Sequence, residues 1–432
     1  FLSFFVHNIF VLLEVFMKKT FLIILLLFII FIILFVFKFN EEKMVNNIMP
    51  NLENYSLDDV KKLASDNNLN LKINEIYSDL YSKYTFVNQS IVEGENLNNN
   101  TELIVDYVIG SLDDEKQINI KKYSENKVNE LGRIPIMMYH GIHNIPSSET
   151  SFIGGNVDKD GYQRTIEAFK NDLEFYYQNN YRMIRLTDYV EGIIDVEIGK
   201  SPIIITFDDG LKNNIIVTGL DDNGEIIIDP NCAIGVLEEF KKKYPDYNVT
   251  ATFFITKNLF NQSEYDDKIL KWLVKNGYDV GNHSASHSDF TKISIDETNY
   301  QIGSVYEILD EIIPDSYVNI VALPYGSPYK KSHQNFGHIL STSYNGKNYT
   351  TKSTMRVGWE SDYSPFSTDF DKTFIKRIRA YDNNGVEFDI EANFKNLENN
   401  RYISDGDKNK IVIKESDLSK LNSQTKLDVI TY

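Results

Sequence analysis

Ile203-Ile204-Ile205-Thr206-Phe207-Asp208-Asp209-Gly210 is the stretch on which the reading of this chain turns. A short β-branched apolar run reads as a buried strand, and here it runs straight into two adjacent carboxylates and a glycine. Successive side chains of a strand point to opposite faces. At a strand end that geometry relaxes, so both acids can converge on one pocket, with Gly210 allowing a sharp exit. Two carboxylates with different neighbours can divide the work, one binding a cation and the other acting as a base. The same letters also suit an ordinary Asp-Asp-Gly turn.

Working outward, short apolar runs alternate with amphipathic segments. Strands are expected at 134–139, 249–255, 278–280 and 320–323. Helices are expected at 162–177, where Ile166, Phe169 and Leu173 share a face, and at 236–243, 269–275 and 300–313. This alternation argues for parallel strands joined by crossover helices, with functional groups at the carboxyl ends of the strands. One such end is Gly281-Asn282-His283-Ser284-Ala285-Ser286-His287. If a helical turn begins here, His283 and His287 share a face. Two histidines and one Asp make a facial metal site with open positions for water and substrate. The competing reading is a pair of surface histidines in a polar loop.

Composition narrows the function classes. The chain has 432 residues, enough for two or three units, and its 44 Lys+Arg against 62 Asp+Glu give a net charge of −18. That lacks the basic footprint of a nucleic-acid binder. Cys232, the single cysteine, excludes an intrachain disulfide and a Cys-rich zinc module. Nothing in the sequence sets an oligomeric state.

Residues 21–37 are an unbroken run of Phe, Leu, Ile and Val, with Lys18 and Lys19 before it and Lys38 after. The length just reaches across a thin hydrocarbon core, and the leading lysines orient the following chain outward. No small-residue cleavage site follows. The expectation is therefore an uncleaved signal anchor over 17–40 in the cell membrane, single-pass, with the rest extracellular. Met17-Lys18-Lys19 reads as the natural start, and residues 1–16 as a non-native upstream extension.

Beyond the anchor, Met49-Pro50-Asn51-Leu52 precedes a helix that Ser56 can cap. Alternating residues 69–73, then Val87-Asn88-Gln89-Ser90, Glu93-Gly94-Glu95 and the strand-like 103–107 follow. This small α+β pattern over 49–110 resembles a PASTA repeat, a module that the resemblance places outside the membrane beside or on peptidoglycan, as a binder or as a spacer. Residues 111–132 are polar and read as a linker.

A strand ending in Thr-Phe-Asp-Asp-Gly, followed some seventy residues on by Asn-His-Ser-x-x-His, resembles the polysaccharide deacetylase, or NodB-homology, family. Ala322-Leu323-Pro324-Tyr325-Gly326 falls where its Arg-x-Pro-Tyr-Gly motif is expected. The resemblance implies an α/β domain, a distorted (β/α) barrel over 133–415 with a C-terminal tail at 416–432. It also implies metal-dependent removal of acetyl groups from N-acetylated cell-wall glycan. By position, Asp208 matches the family's base, and Asp209, His283 and His287 its metal ligands. The backbone N–H of Tyr325 matches an oxyanion donor. Zinc is the default from a His₂Asp set, with cobalt, nickel or manganese also fitting.

Two departures stand out. The motif Arg is Ala322, and Arg377, or less so Arg379, is the candidate substitute from a strand-like 374–380; solvent-facing charge is the competing reading for both. The family's C-terminal acid His has no counterpart after His338. Met137-Met138-Tyr139-His140 resembles the Met-x-Tyr-His signature of the exopolysaccharide deacetylase branch, so His140 is the candidate general acid and His143 the weaker one. Trp359 suits a sugar-stacking platform or a core position. Residues 213–230 read as a hairpin insertion near the pocket mouth, turning at Asp221-Asp222-Asn223-Gly224. The substrates to distinguish are peptidoglycan N-acetylglucosamine and poly-N-acetylglucosamine. A non-catalytic wall-binding protein, to which Ala322 lends weight, is the remaining alternative.

Overall fold

The computed structural model describes residues 16–17, 19–35, 48–358, 360–382 and 390–432. The expectations for residues 1–15 and for Trp359 lie outside these. Residues 19–35 are helical and exposed throughout. Among the described residues no helix is long and apolar enough to cross a membrane. The chain divides into two compact units, residues 1–120 and 121–432.

In the first unit Ser56 caps helix α1, Leu57–Asp66. Its hydroxyl accepts the Asp59 N–H, while the Asp59 carboxylate takes the Ser56 N–H, a reciprocal capping box. Strands β1 (Asn70–Tyr77), β2 (Phe86–Gln89) and β3 (Glu102–Gly110) form a sheet in the order β1-β3-β2. The β1–β3 pair is parallel and the β2–β3 pair antiparallel. The Val-Asn-Gln-Ser segment has a physical task. The Gln89 amide accepts from Leu52 N at 3.0 Å and donates to Pro50 O at 3.0 Å and Ile91 O at 2.9 Å. It thus pins the opening Met-Pro-Asn-Leu stretch while Leu52, Val60, Phe86, Leu103 and Val105 make the core. The polar stretch read as a linker holds a helix, α2, Leu112–Glu125.

The second unit is built on an eight-stranded sheet. Its strands are β4 (Ile136–Tyr139), β5 (Tyr181–Met183), β6 (Ser201–Phe207), β7 (Thr252–Ile255), β8 (Asp279–Asn282), β9 (Ile320–Ala322), β10 (Ser353–Met355) and β11 (Ile378–Arg379). The order is β10-β9-β8-β7-β6-β4-β11, with β5 also on β6, and every pair is parallel. Ile375 bridges Met355 in parallel just before β11, so the two edges curl round toward each other. The expected strands and helices are present, with ends shifted by a few residues.

The period of two sorts this sheet. Ile203, Ile205 and Phe207 pack in one core cluster with Phe169, Val236, Leu270 and Val305 from the covering helices, whereas Ile204 packs on the other face with Ile136, Phe254, Ile320 and Ala322. Continuing the inner face along β6 leads from Ile204 through Thr206 to Asp208. Along β4 it leads from Ile136 through Met138 to His140. On β11, Ile378 and Ala380 belong to the outer cluster, which leaves Arg377 and Arg379 for the inner face.

The expected hairpin insertion forms antiparallel strands Val217–Leu220 and Ile226–Ile228. Lys268 and Lys275 of the helix Asp266–Lys275 hold its turn, through Gly224 O at 3.1 Å and the Glu225 carboxylate at 2.8 Å. The stretch read as a tail is also structured. Lys410–Ile413 pairs in parallel with Asp428–Thr431, and the Tyr432 hydroxyl donates to Val128 O at 2.6 Å.

Two buried polar clusters generate predictions. Arg164 grips Asp172 through Nη2–Oδ1 at 2.6 Å and Nε–Oδ2 at 3.1 Å, and Tyr139 adds a bond to the same carboxylate. Arg164→Met leaves that carboxylate buried and uncompensated, and denaturant unfolding is expected to show a loss of about 3–5 kcal/mol. Removing both charges in Arg164→Met/Asp172→Leu is expected to recover part of it. Glu130 accepts from Tyr402 Oη, Asp405 N and Val412 N. Burial first, and then the Asp405 charge, push its carboxyl from 4.5 up to about 8. The folded value is raised, so its stabilising contribution is complete below the unfolded value and is lost as pH rises through about 8. Unfolding midpoints measured across that window are expected to fall with pH, and Glu130→Gln to flatten the upper part of the slope.

Candidate metal centre and active site

Asp208 and Asp209 both reach the site at the end of β6, where the backbone turns left-handed at Asp209. Asp209 has φ 77° and Gly210 φ 61°. A left-handed aspartate is strained, and a Cβ on Gly210 would stand 2.3 Å from Leu259 O, so the turn is held by close packing. Asp209 thereby swings toward the histidines while Asp208 stays on the inner face.

The two histidines do meet, but no helical turn brings them there. Ser284 (φ 64°) and His287 (φ 55°) are left-handed, and this irregular loop sets the rings 4.9 Å apart. Ligand atoms of Asp209, His283 and His287 all lie within 4.8 Å of one another. His283 is buried, and its Nδ1 sits 2.8 Å from Ala322 O. That contact requires a proton on Nδ1, so the neutral ring presents the lone pair of Nε2. Nε2 is buried without a hydrogen-bond partner, although an Asp209 oxygen is 3.2 Å away. A lone pair facing a carboxylate oxygen is resolved by a cation between them, and the His₂Asp donor set suits a divalent metal. The residues present therefore fit the implied metal.

Arg377 supplies what Ala322 lacks. Its Nη1 donates to Asp208 Oδ1 and its Nη2 to Asp208 Oδ2, both at 2.7 Å, and Nη1 also reaches Thr206 Oγ1 at 3.1 Å. Both side chains are fully buried. The competing reading of Arg377 as solvent-facing charge does not hold: a bidentate partner and a buried carboxylate draw it inside. Arg377 Nε donates to Arg356 O at 2.9 Å, and a Cβ on Gly358 would meet Arg377 O at 2.7 Å. The strand carrying the guanidinium is therefore packed tightly in place. Burial opposes the Asp208 charge, but Arg377 and then His283 outweigh it and hold the carboxyl well below the usual carboxylate range.

His140 is buried beside these groups, with its Nδ1 unpartnered. Burial lowers its pKa, against the pull of Asp208 and Asp209. Asn214 Nδ2 donates to its backbone carbonyl at 2.6 Å and the Tyr162 ring packs edge-on at 4.8 Å. His143 is engaged elsewhere, with Nε2 2.7 Å from Gln163 Oε1. Arg379 is buried too and stacks on Tyr162 at 5.3 Å, so it also does not face solvent. Tyr325, left-handed at φ 56°, places its ring 4.6 Å from that of His287. Asn214 and Tyr162 carried no signal in the sequence: neither belongs to a motif, and their place follows only from the turns after β4 and β6.

Two outcomes are expected. Calorimetric titration with zinc should show one site per chain, and His283→Ala should weaken it about 100-fold or more. Arg377→Lys cannot restore the bidentate contact. It should lower unfolding stability, by about 3 kcal/mol if the buried carboxylate is left largely uncompensated.

Residues 195–338 match the polysaccharide deacetylase family and residues 47–107 the PASTA domain. Over 113 residues the chain is 30% identical to an uncharacterized 30.6 kDa protein of Geobacillus stearothermophilus, covering 26% of this chain and 34% of that one. Over 186 residues it is 25% identical to the peptidoglycan-N-acetylmuramic acid deacetylase PdaC of Bacillus subtilis, covering 42% of this chain and 30% of that one. The matches thus span about a third of the length of these relatives. Among solved structures, the deacetylase PplD of Streptococcus pyogenes in complex with acetate aligns with a TM-score of 0.41 at 16% identity, over 58% of this chain and 92% of that one. The chain therefore carries a polysaccharide deacetylase domain, preceded by a PASTA domain.

Proposed function

We propose that this protein is a metal-dependent N-deacetylase of cell-wall glycan, hydrolysing the acetamide of N-acetylglucosamine in peptidoglycan. The observation that carries the reading is the convergence of Asp209, His283 and His287 beside an ionised, Arg377-bound Asp208. Asp209, His283 and His287 would hold the metal, zinc by the chemistry of the donors. When bound, it supplies Lewis acidity toward the acetyl carbonyl and acidifies water at neutral pH.

The chain's own residues do the rest. Asp208 is held in one plane by Arg377, which leaves each oxygen a lone pair to orient the attacking water and accept its proton. The Tyr325 backbone N–H is the donor for the developing oxyanion. His140 delivers a proton to the departing amine. Burial lowers the His140 pKa against the pull of Asp208 and Asp209, which makes the protonated ring a stronger acid toward the departing amine.

The place of His140 among these groups favours one second reading, poly-N-acetylglucosamine as the substrate, since His140 stands in the signature of the exopolysaccharide branch. A non-catalytic wall binder loses its main support, because Arg377 fills the role left open at Ala322. The reading includes an anchor at the outer face of the cell membrane. It is supported by the apolar run of residues 21–37 and by Lys18, Lys19 and Lys38 around it, while among the described residues no helix is long and apolar enough to cross a membrane. The PASTA domain would keep the enzyme beside the wall.

Acetate release from N-acetylated peptidoglycan and from poly-N-acetylglucosamine tests the proposal. Metal-dependent release that chelator abolishes is expected. Asp208→Asn should lower the rate by about 10²-fold or more and His140→Ala by about 10²–10⁴-fold. Absence of release from both polymers would overturn the assignment.

A further inference from the structure

A second cleft lies in the same unit, away from the metal centre. It has a volume of about 740 Å³, within the range of ligand pockets, about 300–1,000 Å³. Arg133, on its wall, precedes β4, whereas His140 follows β4. Arg133 also bridges Arg401, another wall residue. The cleft thus opens at the amino ends of the strands, opposite the end that carries Asp208 and the histidines. None of the groups assigned to catalysis lines it.

Its chemistry is unlike the rest of the molecule. In a chain with a net charge of −18, Lys127, Arg133, Arg401, Lys414 and Lys420 outnumber Asp369, Glu398 and Asp417 around the cleft. Two of these charges are spoken for: Arg133 pairs with Glu360 at 2.9 Å and Lys420 with Asp417 at 2.8 Å. Among the described residues Lys127, Lys414 and Arg401 make no ion pair, and of the acids neither do Asp369 and Glu398, so three unpaired cations face two unpaired carboxylates. Arg401 is nonetheless fixed, by a bond to Asn179 O at 2.9 Å and by the Tyr181 ring at 5.2 Å. Both lysines are exposed and free to adapt. Between the charges stand the amides of Asn399 and Asn400; the Asn129 amide already donates to Arg401 O, the Tyr432 hydroxyl to Val128 O, and the Tyr363 ring carries the Arg133 guanidinium at 4.1 Å.

Each part of that lining has a complementary ligand group. The amides of Asn399 and Asn400 match sugar hydroxyls. Unpaired cations held near neutral donors match carboxylates. We propose that this cleft is a second glycan-binding site, selective for a saccharide strand bearing carboxylates. It would hold an anionic stretch of polysaccharide at the amino ends of the strands, opposite the metal centre. The inference rests on the cleft's lining and stands apart from the deacetylase reading.

Calorimetry on the full chain tests it, with tetragalacturonic acid as the carboxylate probe, chitotetraose as the uncharged one and a glycerol-phosphate oligomer as the phosphate one. Tetragalacturonic acid is expected to bind most tightly, with affinity that falls as salt is raised. Lys127→Glu/Lys414→Glu is expected to weaken it at least tenfold, and Asn399→Trp, which fills the cleft without changing its charge, to weaken it as well. Both variants alter exposed residues, and their thermal midpoints and zinc uptake should match the parent. Equal binding by parent and both variants would overturn the site. Tighter binding of chitotetraose, or of the glycerol-phosphate oligomer, would overturn the carboxylate assignment. Loss of acetate release in the parent would leave this result untouched, so the two readings fail independently.

Discussion

The buried pair of Arg377 and Asp208 is the contact on which the catalytic unit depends. A carboxylate fully removed from water is costly to keep charged. Here a planar guanidinium meets it with two bonds of 2.7 Å. Taking away either partner would leave the other stranded. The pair therefore couples the middle of the sheet to its last strand, since β11 has to be in place for Asp208 to be ionised and correctly aimed. The tight approach of Gly358 to the Arg377 backbone belongs to the same requirement. So does the alternation that turns Ile378 and Ala380 outward and Arg377 and Arg379 inward.

Around this pair the loops do something regular structure cannot. Asp209, Ser284, His287 and Tyr325 all have positive φ, an unfavourable state for residues with a Cβ. Four such residues gathered at one end of a barrel are a store of local strain that the packed strands beneath them sustain. The result is a donor set that converges without a helix, and an adjacent acid pair whose members serve different purposes.

Much of this was legible in the sequence. The strand-to-carboxylate transition at Phe207-Asp208 and the strand-to-histidine transition at Asn282-His283 place their side chains at strand ends whatever the details of the fold. The helices announce themselves by their apolar faces. What could not be read was long-range register. Arg377 and Arg379 are chemically equal in the sequence, and only the pairing of Ile378 with Met137 and Arg379 with Met138 fixes which one reaches Asp208. The helical reading of His283 and His287 failed because spacing alone does not reveal left-handed residues. The segment around Glu130 looked like a linker because its burial comes from contacts with distant parts of the chain. It is also notable that the family match ends at residue 338, so it contains the acids and the histidines but neither His140 nor Arg377.

That separation bears on how the active site comes into being. Asp208 and Arg377 are 169 residues apart in the chain, and the guanidinium sits on the strand added last to the sheet. As the chain emerges, the ligand cluster around Asp209 can form well before its neighbour acquires a counter-charge. Competence for hydrolysis would thus arrive with the final curl of the sheet. A chain cut short before β11 would lack Arg377 and leave Asp208 without its buried counter-charge.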